Sequence, residues 1–97
     1  MKNYDYQAID DLIHSRIRLA IMSILLVGED AEFNFIKKKI NATDGNLSVH
    51  LRKLEEAKYI SVKKEFIDRK PVSKYSLTEL GRTAFEDYIK KLEEMIK

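Results

Sequence analysis

With 97 residues, 44% of them hydrophobic and 35% charged, the chain has the size and composition of one small folded domain, expected over residues 1–97. It contains no cysteine, which excludes disulfides and thiolate chemistry. No apolar run approaches the roughly 20 residues of a membrane span. The N-terminus does not resemble a signal peptide, so no membrane association and a cytoplasmic location are expected.

The net charge of +2 conceals an uneven distribution along the chain. Residues 1–36 carry a net charge of −3, residues 37–77 carry +6, and residues 78–97 carry −1. Clustered basic charge is typical of a surface that binds phosphate groups. The middle of the chain is therefore the expected binding region.

The first predicted helix begins after Ser15 and extends to about Val27. Serine is a favourable N-cap, because its hydroxyl can accept from an unpaired N–H of the first turn. Gly28 is well placed to end this helix. The following segment, residues 29–33, changes from polar to apolar and predicts a short strand.

A second, short helix is predicted over residues 35–40, with Asn34 as its cap. Its polar side carries three consecutive lysines, which are either a solvated face or phosphate contacts: Lys37, Lys38 and Lys39. Only Asn41 and Ala42 separate this helix from the next. Two short helices joined so closely predict a helix-turn-helix.

The third predicted helix, residues 43–58, has one narrow apolar stripe and an otherwise small, polar surface. Leu47, Leu51 and Leu54 recur at helical spacing and are expected to face the core. Thr43 is the expected N-cap. A small, hydrogen-bonding face that ends in two cations is what a helix needs in order to enter a DNA major groove.

A β-hairpin is predicted next. Residues 59–67 alternate as one strand, and residues 72–77 form the return strand, with Tyr75 and Leu77 on its inner face. Residues 68–71 are the predicted turn, because Pro71 is disfavoured in a central strand. The basic tip is expected to contact DNA, or alternatively to be a charged edge that prevents aggregation.

Thr78 is predicted to cap a final helix, in which Gly81 permits a close approach to another segment. The apolar stripe of this helix is wide and long. It is expected to form a dimer interface, with folding back onto the chain's own core as the alternative. The residues assigned to that interface are Phe85, Tyr88, Leu92, Met95 and Ile96.

The two histidines have no metal-ligand spacing, so neither a metal site nor a cofactor is expected. His50 is expected to be a packed, hydrogen-bonded core histidine, with a phosphate contact as the alternative, and His14 is expected to be structural. There is no Gly-rich phosphate loop and no nucleophile–base pair, which argues against an enzyme.

The order helix, strand, helix, helix, hairpin is the winged-helix arrangement, and three motifs strengthen the likeness. Residues 14–21 resemble the first-helix signature of ArsR/MarR-like archaeal and bacterial regulators. Residues 43–55 resemble their recognition helix, and residues 75–81 resemble the junction between wing and final helix. The fold class implied is α+β, mainly α: a three-helix core and hairpin wing over residues 9–77, with a C-terminal dimerisation helix over residues 78–97.

The resemblance implies a homodimeric, sequence-specific transcription regulator whose partners are double-stranded DNA and a second copy of itself. A repressor is expected, and an effector ligand is not specified. The alternative is a winged-helix module that binds an acidic protein. The residues expected to contact DNA are Thr43, Asp44, Gly45, Asn46, Ser48, Val49, Arg52 and Lys53 on the helix, and Lys63, Arg69, Lys70 and Lys74 on the hairpin, with Lys64 a further candidate.

Overall fold

The computed structural model describes residues 4–97, so residues 1–3 of the expected domain lie outside the described part. After a 3-10 turn at Tyr6–Ala8, the elements are α1 (Arg16–Val27), β1 (Ala31–Glu32), α2 (Phe33–Ile40), α3 (Asp44–Glu56), β2 (Ile60–Ile67), β3 (Lys70–Leu77) and α4 (Glu79–Ile96). The three strands are antiparallel in the order β1-β3-β2. The predicted winged-helix architecture is confirmed.

Three of the four α-helices begin where the local sequence predicted. Ser15 accepts from the Arg18 N–H at 3.5 Å, Thr43 from the Asn46 N–H at 3.2 Å, and Thr78 from the Gly81 N–H at 2.9 Å. Each hydroxyl satisfies an N–H group that the helix itself leaves unpaired. Gly28 follows α1 as predicted, although its φ of −98° makes no use of glycine's left-handed freedom.

The start of α2 differs from the prediction. The helix begins at Phe33, two residues early, and Asn34 lies inside it and is not its cap. Glu32 is the cap residue, with no side-chain hydrogen bond. The reason is that Glu32 pairs with Lys74 of β3, which holds the chain extended immediately before the helix. Asn41 then ends α2 in the left-handed conformation, at φ 55°.

The hairpin turn is also shorter than predicted. It consists of Asp68 and Arg69 alone, and Pro71 belongs to β3. Both turn residues have positive φ, 52° and 64°. Positive φ at both positions is typical of the two-residue turn whose twist matches that of the flanking strands. β1 reaches only Lys74 and Tyr75 of β3, so Pro71 has a strand neighbour on one side only. An open edge is where a strand tolerates proline.

The core lies between the helices and the root of the hairpin. The predicted stripe of α3 is fully buried, with Leu47, Leu51 and Leu54 at 1% exposure or less. Because this stripe faces inward, the opposite side of α3 is left at the surface. The buried apolar side chains that complete the core are Ile13, Ile21, Met22, Leu25, Ala31, Ile36, Ile60, Phe85 and Tyr88.

Candidate nucleic-acid interface

The surface of α3 that faces away from the core carries the residues expected to contact DNA. Among them, Ser48 is half-buried and the others are exposed: Thr43, Asp44, Gly45, Asn46, Val49, Arg52 and Lys53. Apart from Arg52 and Lys53, none has a long side chain. The backbone of α3 is therefore open to close approach along its first two turns.

Asp44 is the only acidic residue in the first turn of α3, and it is paired. Its carboxylate lies 2.6 Å from Lys37 Nζ in the last turn of α2. The pair is partly exposed and contributes little to stability. Its effect here is electrostatic, because it balances a negative charge that would otherwise repel phosphate groups.

On one face of the hairpin, basic side chains share a carboxylate. Glu65 lies 3.2 Å from Lys63 Nζ and 3.5 Å from Lys74 Nζ. The hydrogen bond from Lys63 and the charge of Lys74 lower the pKa of Glu65, which therefore stays ionised. Lys63 and Lys74, both predicted to contact DNA, thus have part of their charge balanced within the chain.

Lys64 lies on the other face of β2, which turns toward α3. With Arg52 and Ser48 of α3 it lines an open groove of about 220 Å³ between the helix and the hairpin. No salt bridge involves Lys64 in the described part of the chain. Side chains two residues apart on a strand share a face, so Lys64 shares the face of Val62, an apolar residue that is half-buried. This alternation was the sequence signal that could have made Lys64 a stronger candidate than Lys63 for a contact on the α3 side.

The hairpin tip is basic and exposed, as predicted. Arg69 occupies the second turn position and Lys70 opens β3, and both side chains are exposed. The described residues thus combine a small polar helix face with a basic hairpin whose inner face adjoins it.

The comparisons with known proteins identify this arrangement. A family model described as a winged-helix DNA-binding domain matches residues 17–96. The chain belongs to that family. An uncharacterised protein of Methanocaldococcus jannaschii is 38% identical over 86 residues, which cover 89% of this chain and 94% of that protein.

Solved structures agree with the family assignment and with the predicted resemblance. A transcriptional regulator homologue of Pyrococcus horikoshii OT3 has a TM-score of 0.82 at 30% identity, covering 88% of this chain and 84% of that one. A protein of Enterococcus faecalis V583 described as a MarR-family regulator has a TM-score of 0.74 at 19% identity, covering 84% of this chain and 74% of that one. The second likeness is one of fold alone.

In this winged-helix domain, a histidine–arginine pair fixes α3 to α1. Arg18 Nη1 donates to His50 Nδ1 at 2.8 Å. A guanidinium has no acceptor, so this nitrogen of His50 must be unprotonated. Burial, together with the charges of Arg18 and Lys53, lowers the pKa of His50. His50 is therefore hydrogen-bonded as predicted, although it is half-buried.

Two further hydrogen bonds join the segment that precedes α1 to the hairpin root and to α4. The Tyr59 hydroxyl donates to Asp10 Oδ2 at 2.6 Å, and burial with this carboxylate raises the pKa of Tyr59 to about 12. His14 Nδ1 and the Tyr88 hydroxyl are hydrogen-bonded at 2.8 Å, so His14 joins the N-terminal segment to α4. These contacts hold the hairpin root and α4 to the segment that precedes α1.

The residues predicted to form a dimer interface differ in how far they are buried in the chain's own core. Phe85 and Tyr88 are buried in the chain's own core, at 3% and 2% exposure, and leave almost no surface for a second subunit. Leu92 is half-buried and packs against that core. Met95 is half-buried and Ile96 is 73% exposed, so the free apolar surface lies in the last turns of α4.

Within residues 4–97, no group of three or more potential metal-ligating side chains comes together. In the same range, no helix combines the length and apolar character needed to cross a bilayer.

Proposed function

We propose that this winged-helix protein is a sequence-specific transcription regulator that binds double-stranded DNA as a homodimer. The observation that carries the proposal is the exposed, small polar face of α3 beside Lys64 of the hairpin, which forms no salt bridge within residues 4–97. The 30% identity to a transcriptional regulator homologue supports the regulatory role.

In this proposal α3 enters the major groove and reads base edges. Asn46 and Ser48 donate and accept hydrogen bonds there, and Val49, 46% exposed, contacts a thymine methyl group. A Cβ built on Gly45 meets nothing within 4 Å, so the backbone there lies open to the DNA. Thr43 and Asp44, at the start of the helix, lie nearest the groove wall.

Phosphate contacts hold the helix in register without reading sequence. Arg52 and Lys53 supply them from the second half of α3. Lys64 adds a contact from the hairpin, and Arg69 and Lys70 extend toward the adjacent minor groove. Lys63 and Lys74 contribute less, since both already bind Glu65.

Two copies pair through the last turns of α4 in the proposed dimer, with Leu92, Met95 and Ile96 at the contact. A two-fold dimer of this kind places its recognition helices about 34–36 Å apart, one turn of B-DNA. We propose repression as the outcome, because occupancy of a promoter site suffices for repression.

The salt dependence of duplex binding tests this proposal. Because each phosphate neutralised releases condensed counterions, the affinity should fall with salt at a slope of about −0.9 per contact in a double-logarithmic plot. Lys64→Ala should make that slope shallower by about one contact. Lys63→Ala is the matched control on the opposite face of the same strand, and it should change the slope less.

A flat salt response would contradict DNA binding and would favour an acidic protein partner for the same surface. Equal changes for Lys64→Ala and Lys63→Ala would contradict the assignment of the inner hairpin face to DNA. Fluorescence anisotropy of a labelled duplex measures both quantities.

A further inference from the structure

The tip of the hairpin exposes apolar surface that the proposed phosphate contacts do not explain. Phe66 is 79% exposed, the highest exposure of any aromatic side chain in residues 4–97. Pro71 beside it is exposed, and Ile67 is 41% exposed. An exposed phenylalanine beside an exposed proline at a basic tip calls for a partner that is both apolar and anionic.

The strand register places Phe66 and Pro71 together. They are directly opposite one another, one pair removed from the Ile67–Lys70 pair that closes the two-residue turn. In such a hairpin the closing pair is hydrogen-bonded and the next pair is not, and side chains lie closest in a non-hydrogen-bonded pair. Pro71 therefore forfeits no ladder bond and supports the phenyl ring from the opposite strand.

The register also gives the direction in which this pair points. Side chains alternate along β2, so Phe66 shares its face with Val62 and Lys64, the face that adjoins α3. Ile67 lies on the opposite face. Phe66 thus projects on the same side of the molecule as the proposed DNA surface, at its outer end.

The charges around Phe66 favour DNA as its partner. Lys64 precedes it on the same face, and Arg69 and Lys70 follow within four residues. Two carboxylates lie in the same segment: Asp68 in the turn, and Glu65 on the opposite face, where it is paired with Lys63 and Lys74. A cationic rim around an apolar tip complements the minor groove, whose phosphate walls flank the stacked base pairs and whose opened steps expose apolar base faces. Proteins that bend DNA insert such side chains between base pairs.

We propose that Phe66, supported by Pro71, is a wedge that the hairpin inserts between two base pairs in the minor groove flanking the recognition-helix site. Insertion requires unstacking, which is easiest at pyrimidine–purine steps such as TA and CA/TG. The hairpin thereby selects deformable steps at positions where it makes no base-specific hydrogen bond. This inference rests on the proposed DNA-binding function and adds a specificity-determining residue to it.

The test uses duplexes enriched from a random pool by the wild-type protein, with 2-aminopurine replacing single adenines along each flank. The fluorescence of 2-aminopurine rises when the base is unstacked. We expect the wild-type protein to raise it at one flanking step in each half-site. Phe66→Ala should lose that rise, keep the salt slope and lose the preference for pyrimidine–purine steps, while Phe66→Leu should retain part of the rise.

Ile67→Ala is the matched control at the same tip, because its side chain points to the opposite face, and it should leave the signal intact. A wild-type protein that binds the duplex without raising fluorescence at any flanking step would overturn the wedge and leave DNA binding standing. A rise that persists in Phe66→Ala, or a change of oligomeric state in that variant, would also overturn it. Failure of the wild type to enrich or bind any duplex would overturn the wedge and the proposed function together.

Discussion

At the scale of single residues, the fold fixes the identity of Gly81 more strictly than its helical position suggests. A Cβ on Gly81 would lie 1.9 Å from the Tyr59 carbonyl oxygen, and 2.7 Å and 2.9 Å from two further backbone atoms of that residue. The same carbonyl accepts from the N–H and the hydroxyl of Thr78, each at 3.1 Å. Tyr59 therefore cannot retreat without breaking its hydrogen bonds with Thr78, the cap residue of α4.

Gly81→Ala should lower the free energy of unfolding by about 3 kcal/mol or more, since the clash is with backbone. Gly45→Ala is the matched control, because it adds the same methyl group to another helical glycine where nothing lies within 4 Å. That variant should be as stable as the wild type, or more stable by up to about 1 kcal/mol. Urea unfolding measures both, and equal stabilities for the two variants would contradict the close contact.

His50 should give the protein a measurable sensitivity to acid. Its pKa in the folded protein lies below the ordinary value of 6.5, so the unfolded chain binds the proton more readily. The contribution of the neutral imidazole is fully present above that value and is lost as the pH falls through the lower pKa of the folded state. Protonation would also remove the acceptor for Arg18.

His50→Asn keeps an acceptor near the position of Nδ1 but does not titrate. The difference in unfolding free energy between wild type and His50→Asn should be constant above about pH 7. Below pH 6.5, the unfolding free energy of the wild type should fall relative to that of His50→Asn. Urea unfolding at a series of pH values measures it. A difference that does not vary with pH would contradict the account of the Arg18–His50 contact.

At the scale of elements, local chemistry predicted most helix starts, and non-local pairing decided the features that were missed. Ser15, Thr43 and Thr78 signal their caps within four residues of sequence. The early start of α2 depends on pairing between Glu32 and Lys74, which lie far apart in the chain. No local pattern contains that information.

The hairpin shows the same limit. The turn residues Asp68 and Arg69 have positive φ without a glycine to mark the turn, and Pro71 was expected in the turn because proline is disfavoured in a central strand. The register that follows decides which lysine faces α3 and which binds Glu65. The α3 surface was predictable because its leucine stripe fixes the opposite face by helical period alone. Which hairpin lysines are best placed to contact DNA was not predictable, because that depends on the strand register.

The last turns of α4 are the element on which dimerisation is proposed to depend. Leu92 packs against the chain's own core, so its replacement would disturb the fold as well as an interface. Ile96 is 73% exposed and makes the cleaner test. Ile96→Asp should produce monomers, because it places a charge in the proposed apolar contact, without loss of helical circular dichroism.

Lys90→Asp is the control for that variant, since it introduces the same side chain at an exposed position on the polar side of α4. It should leave the association unchanged in sedimentation equilibrium. A wild-type protein that sediments as a monomer, or an Ile96→Asp variant that remains a dimer, would contradict the proposed interface.

At the scale of the whole molecule, the basic charge is concentrated in the elements that are proposed to contact DNA. The segment with a net charge of +6 contains the lysines of α2, the exposed face of α3 and the hairpin, whereas the flanking segments are acidic. The positive charge is therefore concentrated on the elements proposed to meet DNA. The remainder of the chain supplies core and, in the proposal, the contact between subunits.

Selection of bound sequences from a random pool of duplexes tests the central claim most directly, because it reports sequence preference and symmetry together. Two copies that each place α3 in a major groove should enrich a two-fold symmetric sequence, with half-site centres about 10–10.5 base pairs apart or a multiple of that spacing. Pyrimidine–purine steps should recur on its flanks. Retention of duplexes without any enriched sequence, or enrichment of a single unsymmetrical site, would contradict the account.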